Sequence, residues 1–156
     1  QNEVSVNLAT EVEGEMRYHA CCRSPARLSV NLQVGSAVPV ARTAIGRAFY
    51  AASSQIRQAV IRSNLQEQLS AEDYNHAQAA LYDAAEHYKM HGYTVSDGEF
   101  STDILAVAVG VFDVATGQYA YSLNASVPSA NWESEDYAAM IVPKLQVLAE
   151  RIGSGV

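Results

Sequence analysis

Four groups of residues in this chain have types and spacings that chemistry could use. His19 and Cys21 stand two apart, which on a strand places an imidazole and a thiol on one face, the pairing of a thiol nucleophile with its base. A thiol of that kind needs a lowered pKa that nothing in the sequence supplies, and a free cysteine otherwise packs as a small hydrophobe. His87 and His91 lie one helical turn apart, just before the polar run Ser96, Asp97, Glu99 and Asp103. That spacing can clasp Zn²⁺ or Ni²⁺, but no recognised ligand signature is completed, so solvated histidines are the plain alternative. Arg42 precedes Thr43, whose hydroxyl suits a helix cap. A guanidinium beside a helix N-terminus makes a corner for a ligand carboxylate, while most single arginines simply face solvent. Finally, Ala120, Ser122, Asn124 and Ser126 alternate with Tyr119, Tyr121, Leu123, Ala125 and Val127. The result is an uncharged, hydrogen-bonding strand face, suited either to lining a ligand cavity or to meeting water.

No nucleophile elbow, phosphate-cradling glycine loop, paired-cysteine metal motif or Ser/His/Asp order accompanies these groups. Catalytic residues, a resident metal and a cofactor are therefore not expected.

The elements that must hold these residues follow from periodicity. Val4, Val6 and Leu8 share one face of a strand, and Met16, Tyr18, Ala20 and Cys22 one face of the next, with Glu13-Gly14-Glu15 as the turn. A third strand is expected from about Leu28 to Val34, and such tight connections require antiparallel neighbours. From Thr43, the residues Ile45, Ala48, Phe49 and Ala52 form one helical face, and a helix from about Gln55 to Gln66 groups Ile56, Val60 and Ile61. Ser70-Ala71-Glu72-Asp73 opens a long helix whose apolar positions Tyr74, Ala77, Leu81, Ala84, Ala85 and Tyr88 run to a stop at Gly92. Ile104 to Phe112, apolar nearly throughout, reads as a strand covered on both faces, and the turn 113–117 folds it onto Tyr119–Val127. A closing helix carries the stripe Tyr137, Ile141, Leu145, Leu148 and Ile152.

The 156 residues, 49% of them hydrophobic, fit one domain with one core. Ten basic residues against 17 acidic give a net charge of −7, and no stretch clusters Lys and Arg, so the segment is a poor nucleic-acid binder by itself. No apolar run approaches the ~20 residues that span a bilayer, and the adjacent Cys21 and Cys22 suggest no disulfide framework. A cytoplasmic location without membrane contact is expected. The chain opens at Gln1 within an apparent strand, with no leader, and is expected to be part of a longer protein.

Three blocks in order resemble the C-terminal effector-binding domain of IclR-type transcriptional regulators: Gly35 to Ala52, Gly92 to Glu99, and the strand pair beginning at Val107. Pro39 through Arg47 is similar to that family's Pro-x-x-x-Thr-Ala-x-Gly-Lys block, with Arg47 in place of the usual Lys. Gly92, Tyr93 and Glu99 match its Gly-Tyr block, while Asp103 stands where a glycine is usual and Gly110 where a proline is. The resemblance runs from about Leu8 to Gly153.

It implies an α+β fold: a GAF- or profilin-like antiparallel sheet of about six strands with helices packed on it. Residues 1–156 would form a single effector-binding domain. The implied ligand-binding residues are Val38, Ala44, Ile45, Ser96, Ala106, Asn124 and Ser126, to which Arg42 is added from its position before the Thr43 helix. The implied partner is a small organic or aromatic acid, carboxylate-bearing, that modulates DNA binding by a winged helix-turn-helix domain lying outside this chain. Homodimers or homotetramers are expected. The alternative is a ligand-free GAF-like dimerisation scaffold.

Overall fold

The computed structural model describes residues 4–22 and 33–155. β1 (Ser5–Val12) and β2 (Glu15–Cys22) pair antiparallel across Glu13 and Gly14, whose φ values of 53° and 91° are the two positive angles a type I′ turn requires. With β3 (Ala37–Pro39), β4 (Thr94–Asp97), β5 (Ile104–Asp113) and β6 (Gln118–Pro128) they form one antiparallel sheet in the order β3-β2-β1-β6-β5-β4. The fold is the six-stranded α+β, GAF-like architecture expected. The strand placed at Leu28–Val34 lies mostly outside the described residues; Gln33 to Ser36 form a turn, and pairing begins at Ala37. Ser96 and Asp97, the first two residues of the polar run, belong to edge strand β4.

The helix boundaries are local chemistry. Thr43 Oγ1 accepts from the Gly46 amide at the start of α1 (Ala44–Ala52). Ser54 and Ser70 do the same for α2 (Gln55–Gln68) and α3 (Ala71–His91). Gly92, left-handed at φ 79°, ends α3 with its amide bonded to the Tyr88 carbonyl. α4 (Ser134–Gly153) follows the last strand.

Helices α1, α2 and α3 cover one sheet face and α4 the other, so β5 is sandwiched. Its Ala106 and Ala108 face the three helices, and Leu105, Val107, Val109 and Val111 face α4. On β1 the deeply buried face is Ser5, Asn7 and Ala9, turned toward the three helices, whereas Val4, Val6 and Leu8 are only partly buried on the α4 side. Two helical stripes also differ from expectation. Ile61 and Leu65 bury α2, leaving Ile56 and Val60 exposed, and Ala149 rather than Leu148 continues the buried face of α4. Each helix lies rotated from the most apolar face of its sequence, because the partner surface, and not the stripe alone, sets the contact.

A register shift at Leu8/Ala9 leaves His19 as an extra residue on β2, a bulge that resets the alternation. Met16, Tyr18 and then Cys21 face the three-helix core, while His19 meets Tyr121 edge-on across the other face. The expected common face of His19 and Cys21 is thereby broken, and no thiol–imidazole pair forms.

The first turn of α1 sits against the sheet. Thr94 Oγ1 donates to the Ala44 carbonyl and Ser122 Oγ to the Ile45 carbonyl, each at 2.7 Å and buried. Glycine makes the approach possible: a Cβ on Gly46 would lie 2.2 Å from the Val40 carbonyl oxygen, and one on Gly110 would lie 2.6 Å from the Ala52 Cβ. Among the described residues, no helix is long and apolar enough to cross a membrane.

Gly46→Ala therefore has to displace the backbone before α1. It is expected to cost about 3 kcal/mol or more, read as a lower urea midpoint at unchanged m-value. In the opposite direction, the Tyr137 hydroxyl is buried with no hydrogen-bond partner among the described residues. Tyr137→Phe removes that uncompensated group and is expected to stabilise by about 1 kcal/mol in the same measurement.

Candidate functional site

Strand register builds the floor of a cavity beneath α1. Ser5, Ser126, Ala106 and Ser96 stand opposite one another across four strands, and Asn7, Asn124, Ala108 and Thr94 form the next row. Tyr18 enters from β2, Thr43 and Ala44 form the roof at the start of α1, and Phe100, Ser101 and Ile104 close the β4–β5 side. The space is about 80 Å³; one water needs roughly 10–15 Å³ on this scale, so the cavity holds several waters or one small molecule. Its lining combines hydroxyls, carboxamides and apolar groups, with no Asp, Glu, Lys, Arg or His among the described residues.

The polar groups of the floor are partly committed. Asn124 Oδ1 accepts from the Asn7 backbone amide at 3.1 Å and from Asn7 Nδ2 at 3.0 Å. The Asn124 side chain is also within hydrogen-bonding reach of the Tyr18 hydroxyl. Burial is the main cause that pushes the Tyr18 phenol up to about 12, the contact with Asn124 acting against it; the phenol therefore keeps its proton at neutral pH. Thr43 Oγ1 donates to the Pro39 carbonyl, and Ser96 Oγ reaches the Arg42 carbonyl at 3.3 Å. Ser126, 7% exposed, also lines the cavity. Hydroxyls at the wall of a cavity of this size can bond water or a ligand.

The wall that carries Phe100 and Ser101 is held from behind. Arg47, 8% exposed, bonds Glu99 through Nη1 to Oε1 at 2.9 Å and Nη2 to Oε2 at 2.5 Å. Its Nε donates to the Ala41 carbonyl and Nη1 also to that of Val95. One side chain thus joins the approach to α1, strand β4 and the loop at the cavity mouth. The hydrogen bonds from Arg47 hold the Glu99 carboxyl below the usual carboxylate range.

Of the residues read from sequence, Ala44, Ser96, Ala106, Asn124 and Ser126 come together around the cavity. Val38 and Ile45 are sealed in the adjoining core, 1% and 0% exposed, and do not line it. Arg42 turns outward: its Nη2 donates to the Glu99 carbonyl at 2.9 Å, and its side chain borders a separate groove between the sheet end and α2–α3. Ser5, Asn7, Tyr18, Thr43, Phe100, Ser101 and Ile104 join the lining without having been singled out as ligand residues. For Asn7 and Ser5 the available signal was polarity alternating with Val4, Val6 and Leu8; for Tyr18 there was none, since its direction depends on the bulge. His87 Nδ1 bonds the Tyr93 carbonyl with His91 stacked nearby, and among the described residues no three His, Cys, Asp or Glu side chains group as a metal site.

The family described as "Bacterial transcriptional regulator IclR C-terminal" matches residues 1–154. Among solved structures, an IclR family transcriptional regulator from Brucella abortus superposes with a TM-score of 0.85 at 25% identity, covering 99% of this chain and 57% of that one. The C-terminal domain of the E. coli regulator KdgR superposes at 0.74 with 21% identity, covering 97% of this chain and 87% of that one. The inducer-binding domain of a double mutant of PobR from Acinetobacter, in complex with 3-hydroxybenzoic acid, superposes at 0.74 with 16% identity, covering 100% and 91%. The chain spans somewhat over half the length of the Brucella regulator. None of the curated proteins compared matches it.

The Arg47–Glu99 pair has a pH signature. Because the folded pKa of Glu99 lies below its ordinary 4.5, its contribution is complete above that pH and is lost as pH falls through the lower folded value. Glu99→Gln is expected to cost about 1 kcal/mol at pH 7, a half-exposed carboxylate being well screened. Chemical denaturation across pH 3–7 should show the gap to wild type closing below about 4.5.

Proposed function

The chain belongs to the IclR family of bacterial transcriptional regulators, and from that membership we propose that its cavity receives a small carboxylate-bearing effector that modulates DNA binding by a separate N-terminal domain. Domains of this family are regulators, not enzymes. The observation that carries the reading is a cavity of about 80 Å³ between sheet and helix, lined by Ser96, Asn124 and Ser126. A solidly packed scaffold would fill such a space, since interiors are close-packed and voids are costly.

With no cationic side chain among the described residues of the lining, the carboxylate is held by dipoles. The Gly46 amide is capped by Thr43 Oγ1 and the Arg47 amide bonds the Thr43 carbonyl. The Ala44 and Ile45 amides have no acceptor within the helix. These donors, the positive end of the helix, and Ser96 on the strand below form the anion-receptive end. Phe100, Ile104, Ala44 and Ala106 supply apolar contact. Arg42 acts outside the cavity, tying the Glu99 backbone to the approach of α1.

Binding shifts DNA affinity only as far as the ligand prefers one arrangement of the parent protein over another. The loop bearing Phe100 and Ser101, fastened through Arg47 to the start of α1, is the element through which occupancy is felt. The whole regulator works in the cytoplasm as a homodimer or homotetramer, with residues 1–156 as its one effector-binding domain.

A thermal-shift panel of propionate, lactate, benzoate and 3-hydroxybenzoate tests the reading. A ligand at 100 times its Kd adds about 2.7 kcal/mol, of order 5–10 °C in a domain of this size. Ser126→Ala is expected to reduce the shift. No shift with any short or aromatic acid would leave the scaffold reading in its place.

A further inference from the structure

Two histidines stand outside the function proposed above, and the fold holds them more firmly than solvated side chains would be held. His87 and His91 occupy successive turns at the end of α3, with ring centres 4.5 Å apart and planes tilted by 41°. His87 is half-buried and meets the Tyr93 ring edge-on, just past the left-handed turn at Gly92. Its Nδ1 stands 2.9 Å from the Tyr93 carbonyl oxygen. A carbonyl can only accept, so Nδ1 carries the ring proton of the neutral imidazole and Nε2 keeps its lone pair. That is the form in which histidine binds a metal, and a backbone carbonyl behind the ring is a usual means of fixing it.

We propose that His87 and His91 form a site for one divalent transition-metal ion of the Zn²⁺ or Ni²⁺ class, bound through two neighbouring imidazole nitrogens with water completing its shell. The spacing fits. An ion about 2.0–2.1 Å from each nitrogen lies roughly 3.2 Å from each ring centre, so two imidazoles bound side by side at about 90–110° have centres roughly 4.5–5.2 Å apart. His91 is exposed, and rotation about its side-chain bonds aims a nitrogen at the ion that His87 holds. The local field favours a cation as well: both rings lie at the C-terminal, negative end of a 21-residue helix. Asp83, one turn before His87, lines the same groove of about 360 Å³, which leaves room for metal-bound water. Among the described residues no third His, Cys, Asp or Glu groups with the pair, so Asp83 contributes charge across the groove and is not a ligand. The flanking Lys89 is already paired with Glu86 at 2.9 Å. This site shares no lining residue with the cavity beneath α1 and stands without the sensor reading.

Calorimetric titration of the tag-free domain with nickel chloride, and separately with zinc chloride, tests the proposal. Wild type should bind one Ni²⁺ per chain, and His87→Ala and His91→Ala should each weaken binding by at least about tenfold, the low end of what losing even an outer-shell partner costs. His76→Ala, three turns earlier on α3, should bind as wild type does. Melting curves without metal show that the variants are folded; His91 is exposed, so its variant keeps the test valid if His87→Ala fails to fold. Saturating Ni²⁺ should raise the melting temperature of wild type and leave that of the folded variants unmoved. Absence of saturable binding of either ion, wild-type affinity in His91→Ala, or binding lost in His76→Ala or His19→Ala instead, overturns the proposal and leaves the sensor reading untouched.

Discussion

The seating of the first turn of α1 on the sheet is the contact to which the rest of the site is referred. Two sheet hydroxyls, Thr94 and Ser122, bond the carbonyls of Ala44 and Ile45, and Gly46 lets the preceding chain pass at a distance no side chain would permit. Those carbonyls lie in the helix interior, where they already accept helical bonds, so the sheet adds a second acceptor interaction without orphaning any group. The outcome is a helix end held at a defined height above the floor, with Arg47 on its next turn reaching the loop that shuts the cavity.

This arrangement explains a polar floor inside a protein. Ser5, Asn7, Ser96, Ser122, Asn124 and Ser126 are all nine-tenths or more buried, a costly choice unless each finds a partner. Ser122 and Ser96 find backbone carbonyls, and Asn7 and Asn124 find each other. Ser126 lines the cavity. Polar side chains at the wall of a chamber are what separate a binding site from a core, and the opposite sheet face, mostly aliphatic beneath α4, shows how this sheet packs when no guest is accommodated.

The absence of charge among the described residues of the lining gives the site its character. A buried arginine would bind an anion strongly but would need compensation when the site was empty. Arg42 and Arg47 are instead directed at the Glu99 segment, one to its backbone and one to its carboxylate. Charge here organises the loop, and dipoles face the cavity.

Much of the architecture was legible along the chain because its causes are local. Thr43, Ser54 and Ser70 cap helices by bonding an amide three residues ahead; Gly92 accepts a left-handed angle; the two-residue period of β6 presents Ser122, Asn124 and Ser126 together. The matched blocks also contained both partners of the Arg47–Glu99 pair, although nothing in their spacing announced that they meet. Which face a strand buries is a different kind of fact. The apolar face of β1 lies half-covered and its polar face is deeply buried, because three helices lie over one side of the sheet and a single helix over part of the other. Tyr18 reaches the cavity, and Cys21 parts from His19, because one extra residue at the bulge resets an alternation that a linear reading must assume unbroken. Arg42 lies outside the cavity, its guanidinium bonded to the carbonyl of Glu99, 57 residues on. Caps, turns and periodicity act over a few bonds and can be read in order; enclosure, register and the aim of a long side chain depend on segments that only folding brings within reach of one another.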